Sequence, residues 1–201
     1  MHTAEGRLHL FVAVDRTTKF AFVELHEQAT GRVAGDFLRH PIAAVPCKAH
    51  TVLTDTGTHF STPGNVASAA PLIKEAIAAG QTFRAHSFES ARARNDVEHR
   101  LTKPRHPWTN GQIERTNRTI KEATIRRYPC DSHAQRRAHL ADVLPACNFA
   151  RRLKTLRGLT PDEAICKAWA AEPARFHNNP LHHMPGPSIE IDRQKRRPRR
   201  R

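Results

Sequence analysis

Two short apolar runs near the N-terminus flank a polar segment. Residues 8–14 read Leu-His-Leu-Phe-Val-Ala-Val and residues 20–25 read Phe-Ala-Phe-Val-Glu-Leu, and both have the length and content of buried strands. Because only the polar residues 15–19 separate them, the pattern predicts a β-hairpin. A further strand is predicted at residues 51–54, which read Thr-Val-Leu-Thr and are followed by Asp55.

The spacing of apolar residues becomes helical after the hairpin. Between residues 30 and 44 the apolar positions form a stripe with helical spacing, and Pro41 is expected to end or bend this helix. Two shorter helices are predicted at residues 67–79 and 83–95, with Gly80 between them.

The second half of the chain is predicted to be mostly helical. One helix is expected over residues 109–127, opened by a capping box in which the side chains of Thr109 and Gln112 bond each other's backbone N–H groups. Another is expected over residues 132–149, with a kink or break at Pro145 because proline removes a helical hydrogen bond.

A last helix is predicted to begin after Thr160, which is followed by Pro161 and by the acid Glu163. Beyond Glu172 the chain is rich in Pro, Asn and His and then basic, so it is predicted to be disordered or ordered by a partner. A hairpin, a helix, a strand and several further helices together predict an α/β domain whose sheet is covered by helices.

The charge balance points to a polyanionic partner. The 201 residues contain 33 Lys and Arg against 19 Asp and Glu, a net charge of +14. Seven of the cations lie in the last nine residues, yet residues 1–186 alone still carry +9. The body of the protein is therefore basic without its tail, as expected of a nucleic-acid-binding domain.

Other features of the composition narrow the class of protein. The chain has no apolar run of 18 residues and no N-terminal signal segment, which predicts a cytoplasmic protein without a membrane span. Its four cysteines are scattered, which favours reduced thiols over disulfides. Cys130 and His133, with His182 and His183 downstream, could suggest zinc, but the ligand spacing of a closed zinc site is absent.

Two acidic residues occupy positions suited to holding a hard cation. Asp55 follows a predicted strand, and Glu114 lies in the first turns of a predicted helix. Carboxylates at a strand end and at a helix start can converge on a divalent ion. The alternative is structural, with Asp55 as a turn residue and Glu114 as a favourable acid near the positive end of the helix dipole.

Basic residues surround the second of these acids. Arg118 and Lys121 follow Glu114 by four and seven residues and so share its helix face, while Lys103 and Arg105 precede it. Acids flanked by cations suit metal-assisted chemistry on a phosphodiester, with the cations holding the nucleic-acid backbone. The alternative is a solvated helix face.

Two segments resemble a known family. Residues 52–60 (Val-Leu-Thr-Asp-Thr-Gly-Thr-His-Phe) and 103–121 (Lys-Pro-Arg-His-Pro-Trp-Thr-Asn-Gly-Gln-Ile-Glu-Arg-Thr-Asn-Arg-Thr-Ile-Lys) resemble the D-D-E transposases of bacterial insertion sequences, relatives of retroviral integrases. Residues 148–154 and 159–163 resemble that group's C-terminal helices, so the likeness covers about residues 6–186.

The resemblance implies an α/β fold of the RNase H-like, integrase-core type, with a mixed sheet flanked by helices. It divides the chain into a partial catalytic core at 1–128, the C-terminal helices of the core at 129–172, and a Pro/His-rich and basic tail at 173–201. The implied function is that of a transposase or integrase catalytic core for DNA integration, cleaving phosphodiesters and transferring strands.

The resemblance also assigns residues and partners. Asp55 and Glu114 match the second and third catalytic, metal-binding acids, which hold two Mg²⁺ or Mn²⁺ ions in such enzymes. The expected nucleic-acid-binding residues are Lys103, Arg105, Asn117, Arg118 and Lys121. The implied partners are transposon ends and target DNA, with further copies of the chain or a full-length transposase, in the nucleoid of a bacterial cytoplasm.

The chain departs from the family pattern at its beginning. In the family the first acid lies on the strand before residues 8–14, whereas residues 1–7 resemble the turn after that strand and Asp15 ends the second one. The first strand, the first acid and any upstream DNA-binding helix-turn-helix are thus expected to be missing, and Asp15 is not expected to be a ligand. We therefore expect marginal stability, aggregation or rescue by a partner. The alternative function is a non-catalytic DNA-binding fragment that interferes with a full-length transposase.

Overall fold

The predicted hairpin is present and follows a short pair of strands at the N-terminus. The structure is a computed structural model that describes residues 1–55, 57–60, 70–81, 86–102, 107–126 and 130–182. Strands β1 (His2–Thr3) and β2 (Gly6–Arg7) make a two-residue antiparallel pair. Strand β3 (His9–Val14) then pairs antiparallel with β4 (Ala21–His26), which confirms the hairpin.

The structure has a second, parallel pair of strands, of which only one was predicted. Strand β5 (Thr51–Thr54) occupies the predicted range, and it pairs in parallel with β6 (Glu98–Leu101). Strand β6 reads Glu-His-Arg-Leu, so it has none of the apolar content by which a buried strand is recognised. Within the described ranges the six strands form three separate pairs.

The helices of the first half follow their predictions closely. Helix α1 (Gly31–Ala44) is capped by the Thr30 side chain, and it continues through Pro41 to Ala44. Pro41 does not end the helix because it lies in the last turn, where it removes a single hydrogen bond. Helices α2 (Ala70–Ala78) and α3 (Ser87–Arg94) lie within the two shorter predicted ranges, whose residues 67–69 and 83–85 are outside the described part of the chain.

The helix that carries Glu114 starts earlier than predicted. Helix α4 (Pro107–Lys121) begins two residues before Thr109 and continues into a π-helical turn, Glu122–Arg126. Thr109, the predicted N-cap residue, therefore lies inside the helix. Proline is favoured in the first turn, where its missing N–H needs no partner, and this lets the helix open at Pro107.

Both C-terminal helices begin with a capping box, of which only that of the last helix was predicted. Helix α5 (His133–Pro145) begins with a capping box, and after Pro145 the chain passes into a π-helical turn, Ala146–Ala150. The α-helical pattern thus ends at the proline, while the chain continues in helical form. Helix α6 (Pro161–Ala171) has the predicted capping box between Thr160 and Glu163.

The chain after α6 is ordered further than the composition predicted. Short 3₁₀ turns form at Pro173–Arg175 and Pro180–His182. Phe176 makes an antiparallel bridge to Cys47, and the Lys48 N–H donates to the Arg175 carbonyl at 3.0 Å. Residues 173–182, for which the composition predicted disorder or ordering by a partner, thus lie against the segment leading into β5, whereas residues 183–201 lie outside the described part.

The β3–β4 hairpin separates two apolar clusters. On one face, Phe11 packs with residues of α1 and α3 such as Phe37 and Phe88. On the other face, Leu8 and Val23 pack with residues of α4 and α5, among them Ile120 and Leu140. The hairpin is therefore covered by helices on both sides, as the α/β prediction requires.

Asn148 holds the outer edge of the hairpin. Its buried amide accepts a hydrogen bond from the Ala21 N–H at 2.9 Å and donates one to the Ala21 carbonyl at 2.8 Å. Replacing it by alanine leaves both backbone groups without a partner, so we expect Asn148→Ala to lower the free energy of unfolding by about 2 kcal/mol. Urea titration measures this change. The exposed Asn178→Ala is the control, and an equal loss in both variants would contradict the role of Asn148.

Candidate catalytic and nucleic-acid site

Asp55 lies at the end of β5 with its carboxylate turned onto the following backbone. Its side chain is exposed, and its Oδ1 accepts a hydrogen bond from the Gly57 N–H at 2.9 Å. A Cβ at position 57 would lie 2.9 Å from Asp55 Oδ1 and 2.8 Å from His59 Cε1. A side chain at position 57 would therefore displace the Asp55 carboxylate or the His59 ring from these positions.

A hydrogen-bond network of largely buried polar side chains ends at the backbone carbonyl of Asp55. The Thr54 hydroxyl donates to the Asp55 carbonyl at 3.0 Å and lies 2.8 Å from His99 Nε2. On the other side of its ring, His99 Nδ1 lies 3.1 Å from a carboxylate oxygen of Glu89. The second carboxylate oxygen of Glu89 accepts a hydrogen bond from Arg92 Nε at 2.9 Å. This network, Arg92–Glu89–His99–Thr54, links α3 through β6 to the backbone of Asp55.

The network holds Glu89 in its charged form. Burial by itself would raise the pKa of Glu89, but the hydrogen bonds from His99 and Arg92 outweigh it and lower the pKa to about 2. Sequence reasoning missed this group. The available signal was the pair Glu89 and Arg92, which are three residues apart on one helix and able to form an ion pair.

Glu114 is exposed on α4, which crosses one face of the hairpin. Near its start, the Gln112 amide donates to the Asp15 carbonyl at 3.0 Å and its carbonyl oxygen accepts from Lys19 Nζ at 3.2 Å. Near its end, Ile120 is buried with Leu8. The helix therefore runs from the end of β3 towards its beginning. Within the described ranges no hydrogen bond or ion pair joins Glu114 to Asp55.

Asp15 has a structural role in the hairpin turn. Its carboxylate accepts hydrogen bonds from the Thr17 N–H at 3.2 Å and the Thr18 N–H at 2.9 Å. Burial and, after it, the charge of Asp15 raise the pKa of Cys47, which places Asp15 near the chain entering β5. Asp55 follows the opposite end of that strand. Asp15 and Asp55 therefore lie towards opposite ends of β5.

The acids that the structure describes do not fit a pair of divalent ions. Such ions each need several oxygen ligands, and bridging pairs share carboxylates. Over the described ranges, no group of three or more His, Cys, Asp or Glu side chains could hold a metal ion. Asp55 and Glu114 thus supply two carboxylates without a third, and the zinc alternative at Cys130 and His133 finds no support in those ranges either.

The exposed face of α4 is basic. Arg115, Arg118 and Lys121 are all exposed on it, and Arg151 approaches it by donating to the Thr119 hydroxyl at 3.2 Å. Arg115 and Arg151 were not among the predicted residues, although a basic pair at 151–152 was visible in the sequence. These cations form what we call the α4 basic face.

The remaining predicted contact residues divide into two groups. Asn117 is half-buried on α4, and its Oδ1 atom is buried with no hydrogen-bond partner in the described part of the chain. Lys103 and Arg105 lie outside the described residues.

Comparison with known proteins identifies the fold. Residues 95–161 match the family model described as Integrase core domain. The chain also superposes on the catalytic core domain of BIV integrase with a TM-score of 0.59 and 17% sequence identity, over 83% of this chain and 90% of that one. The fold is that of an integrase catalytic core. The predicted RNase H-like class is thus confirmed, while an origin in a bacterial insertion sequence stays a prediction.

A second integrase structure extends the comparison. The simian T-cell lymphotropic virus intasome, solved in complex with PP2A regulatory subunit B56 gamma, gives a TM-score of 0.56 at 20% identity over 79% of this chain. This chain spans 48% of the length of that one. No curated protein sequence matches the chain. Among the described helices of this integrase-type core, none has the length and apolar content needed to cross a membrane.

The family match falls on one part of the candidate site. It includes β6, all of α4 with Glu114 and the α4 basic face, and α5. Asp55 lies outside the matched residues. The support for the site within the integrase-type core is therefore strongest on α4.

Proposed function

We propose that this chain is a DNA-binding catalytic core of the transposase or integrase type, acting in DNA integration. The observation that carries the proposal is α4: an exposed acid, Glu114, stands among the exposed cations Arg118 and Lys121 on a helix matched by an integrase family model. The net charge of +14 supports a nucleic-acid partner. Transposon ends and target DNA, and a nucleoid-associated place in a bacterial cytoplasm, belong to this proposal.

The side chains of α4 have distinct roles in this proposal. Arg115, Arg118 and Lys121 bind successive phosphates of the DNA backbone, which fixes the position of the DNA without reading its sequence. Asn117, which is half-buried on the same helix, is the proposed polar contact beside them. Asp55 and Glu114 are the proposed catalytic acids. Because the described acids do not fit two divalent ions, we derive no Mg²⁺- or Mn²⁺-dependent step from them.

A second function is favoured because the described residues bring no third acid to Asp55 and Glu114. A chain that binds DNA through the α4 basic face but lacks a third carboxylate can occupy DNA ends without cleaving them. It could also join assemblies of a full-length transposase and interfere with them. Both candidates share DNA binding and differ only in catalysis.

The substitution Glu114→Gln separates the two functions. DNA cleavage and strand transfer are measured with Mg²⁺ or Mn²⁺, and DNA affinity is measured in parallel. If the chain is catalytic, the variant loses product while its affinity stays equal or rises, because a negative charge near the phosphates is removed. The exposed Glu75→Gln on α2 is the matched control and should behave as the parent.

The other outcomes are equally decisive. Binding without product in the parent and in both variants supports the interfering fragment. Equal cleavage by the parent and by Glu114→Gln would contradict the assignment of Glu114. An absence of DNA binding by the parent would overturn both candidate functions.

A further inference from the structure

Phe149 is a large aromatic side chain on the surface of the protein, with 37% of its area exposed. The other large apolar side chains exposed in the described ranges are aliphatic: Leu72, Ile77, Leu101 and Leu181. A single exposed apolar side chain is common on soluble proteins and needs no explanation by itself. The surroundings of Phe149 are what distinguish it.

The ring of Phe149 is held in place by its neighbours. It packs edge-to-face against the half-buried Phe20, with the ring centroids 6.0 Å apart and the ring planes at 80°. The residue before it, Asn148, is fixed to the edge of β4 by its two hydrogen bonds with Ala21. The ring therefore has a defined position while part of its surface stays exposed. We call Phe20 and Phe149 the aromatic pair.

Two cations next to the aromatic pair in the chain reach α4. Lys19 precedes the first ring, and its Nζ lies 3.2 Å from Gln112 Oε1 on α4. Arg151 follows the second ring by two residues and donates to the Thr119 hydroxyl at 3.2 Å. Gln112 and Thr119 are two turns apart on α4, a distance of about 10 Å. The aromatic pair therefore lies beside the α4 basic face, near the hairpin turn.

The segment around Phe149 carries positive charge and no negative charge. Residues 146–158 contain four Lys and Arg residues and no Asp or Glu. One of these cations, Arg152, pairs with Glu163 at 3.2 Å. The other three are exposed, and they are Arg151, Lys154 and Arg157. This part of the surface therefore attracts a polyanion.

An exposed ring among cations suits a DNA strand with an unpaired base. Cations hold the phosphates of any strand, whether it is paired or not. A ring adds to binding by stacking on the face of a base, and inside a duplex both faces of each base are covered by neighbouring bases. Proteins that bind single strands combine a positive surface with aromatic rings for this reason. An acidic peptide would satisfy the cations but would offer the ring no base.

We propose that Phe149, packed against Phe20, stacks on an unpaired base of DNA whose phosphates are bound by Arg151 and the α4 basic face. The inference rests on the proposed DNA-binding function and adds to it a preference for DNA in which a base is splayed or overhanging beside the duplex. The stacking site uses no acid and no metal. It therefore applies equally to a catalytic chain and to an interfering fragment.

Three DNA probes test the stacking. They are a blunt duplex, the same duplex with short unpaired thymidine arms at one end, and that forked duplex with abasic arms. The abasic arms carry the same phosphates without bases, so the two forked probes differ only in what can stack. Fluorescence anisotropy in the presence of EDTA measures the affinities without cleavage. We expect the chain to bind the thymidine arms about tenfold more tightly than the abasic arms, as for one stacked base.

Substitutions at Phe149 should change this preference alone. Phe149→Ala should bind the two forked probes equally and keep the parent affinity for the blunt duplex, whereas Phe149→Tyr keeps a ring and should keep the preference. Arg151→Ala should weaken binding of both forked probes by the same factor, because it removes a phosphate contact. The matched control is Leu72→Ala, which removes an exposed apolar side chain on α2 and should behave as the parent.

The stacking proposal and the proposed function fail in different ways. If the parent binds both forked probes equally, or if Phe149→Ala keeps the preference for thymidine arms, the stacking proposal is overturned and DNA binding stands. A loss of the preference in Leu72→Ala would also overturn it, since the effect would not be specific to the aromatic pair. If the parent binds none of the three probes, the proposed function is overturned together with the stacking.

Two further measurements cover the case in which Phe149→Ala fails to fold. Phe149→Leu keeps an apolar side chain against Phe20 but has no ring, so it should fold and still lose the preference. In the unmodified chain, the ring protons of Phe149 should shift upfield in the NMR spectrum when the thymidine-armed duplex is added, because a stacked base lies over them. No such shift, or an equal shift with the abasic arms, would overturn the proposal.

Discussion

Replacing Glu89 by glutamine is expected to lower the free energy of unfolding by about 3 kcal/mol at neutral pH. Glu89 is held between Arg92 and His99, whose side chains are only 6% and 7% exposed. Glutamine keeps the shape of the side chain but removes the negative charge that lies against the buried Arg92 guanidinium. Chemical denaturation followed by circular dichroism measures the change.

The effect of Glu89→Gln should also depend on pH in a defined direction. The pKa of Glu89 is lowered to about 2 in the folded protein, against about 4.3 in an unfolded chain. A lowered carboxyl pKa stabilises the fold above the unfolded value, and this stabilisation is lost as the pH falls towards the folded value. The stability difference between parent and variant should therefore be full at pH 6 and shrink between about pH 4.3 and pH 2.

A matched substitution distinguishes this network from an ordinary surface pair. Glu98 bonds Arg100 at 2.9 Å, but both side chains are exposed, so Glu98→Gln should change stability little. If Glu89→Gln were as mild as Glu98→Gln, or if its effect were the same at every pH, the network would not hold the charge of Glu89 as inferred.

The elements that the sequence predicted share one property: each has an apolar pattern or a cap that acts locally. The hairpin strands alternate between two covered faces, and Thr160 with Glu163 closes a capping box within four residues. Strand β6 was missed because it reads Glu-His-Arg-Leu and is recognised only by its pairing with β5, more than forty residues earlier. Such long-range pairing leaves no trace in the local pattern.

In the candidate site, too, residues with a local sequence signal were predicted, whereas contacts between distant elements were not. Asp55 and Glu114 were predicted as site residues from their positions at a strand end and on a helix, and the cations of α4 from helical spacing; these roles stay predictions. The support behind Asp55 was not found, because Glu89 and His99 meet across a helix and a strand that the sequence does not place together. Asp15 was not expected to be a ligand, and the structure places its carboxylate in the hairpin turn, where it accepts two backbone hydrogen bonds.

DNA affinity should depend on the α4 basic face far more than on the total charge. The double variant Arg118→Ala, Lys121→Ala is expected to bind DNA about 100-fold more weakly at low salt, since each charge-assisted hydrogen bond contributes about 1.5 kcal/mol. The slope of log affinity against log salt should also become shallower by about 1.8, because two phosphate contacts are lost. Fluorescence anisotropy over a range of salt concentrations measures both quantities.

A control with the same loss of charge tests whether the face or the net charge matters. Arg32 and Arg39 are exposed on α1, which packs on the opposite side of the hairpin from α4. The double variant Arg32→Ala, Arg39→Ala removes two charges but should leave the salt slope nearly unchanged. Equal loss of affinity in the two double variants would mean that the whole basic surface attracts DNA, and that α4 is not its binding face. A selective loss at α4 would place the DNA backbone along the helix that carries Glu114.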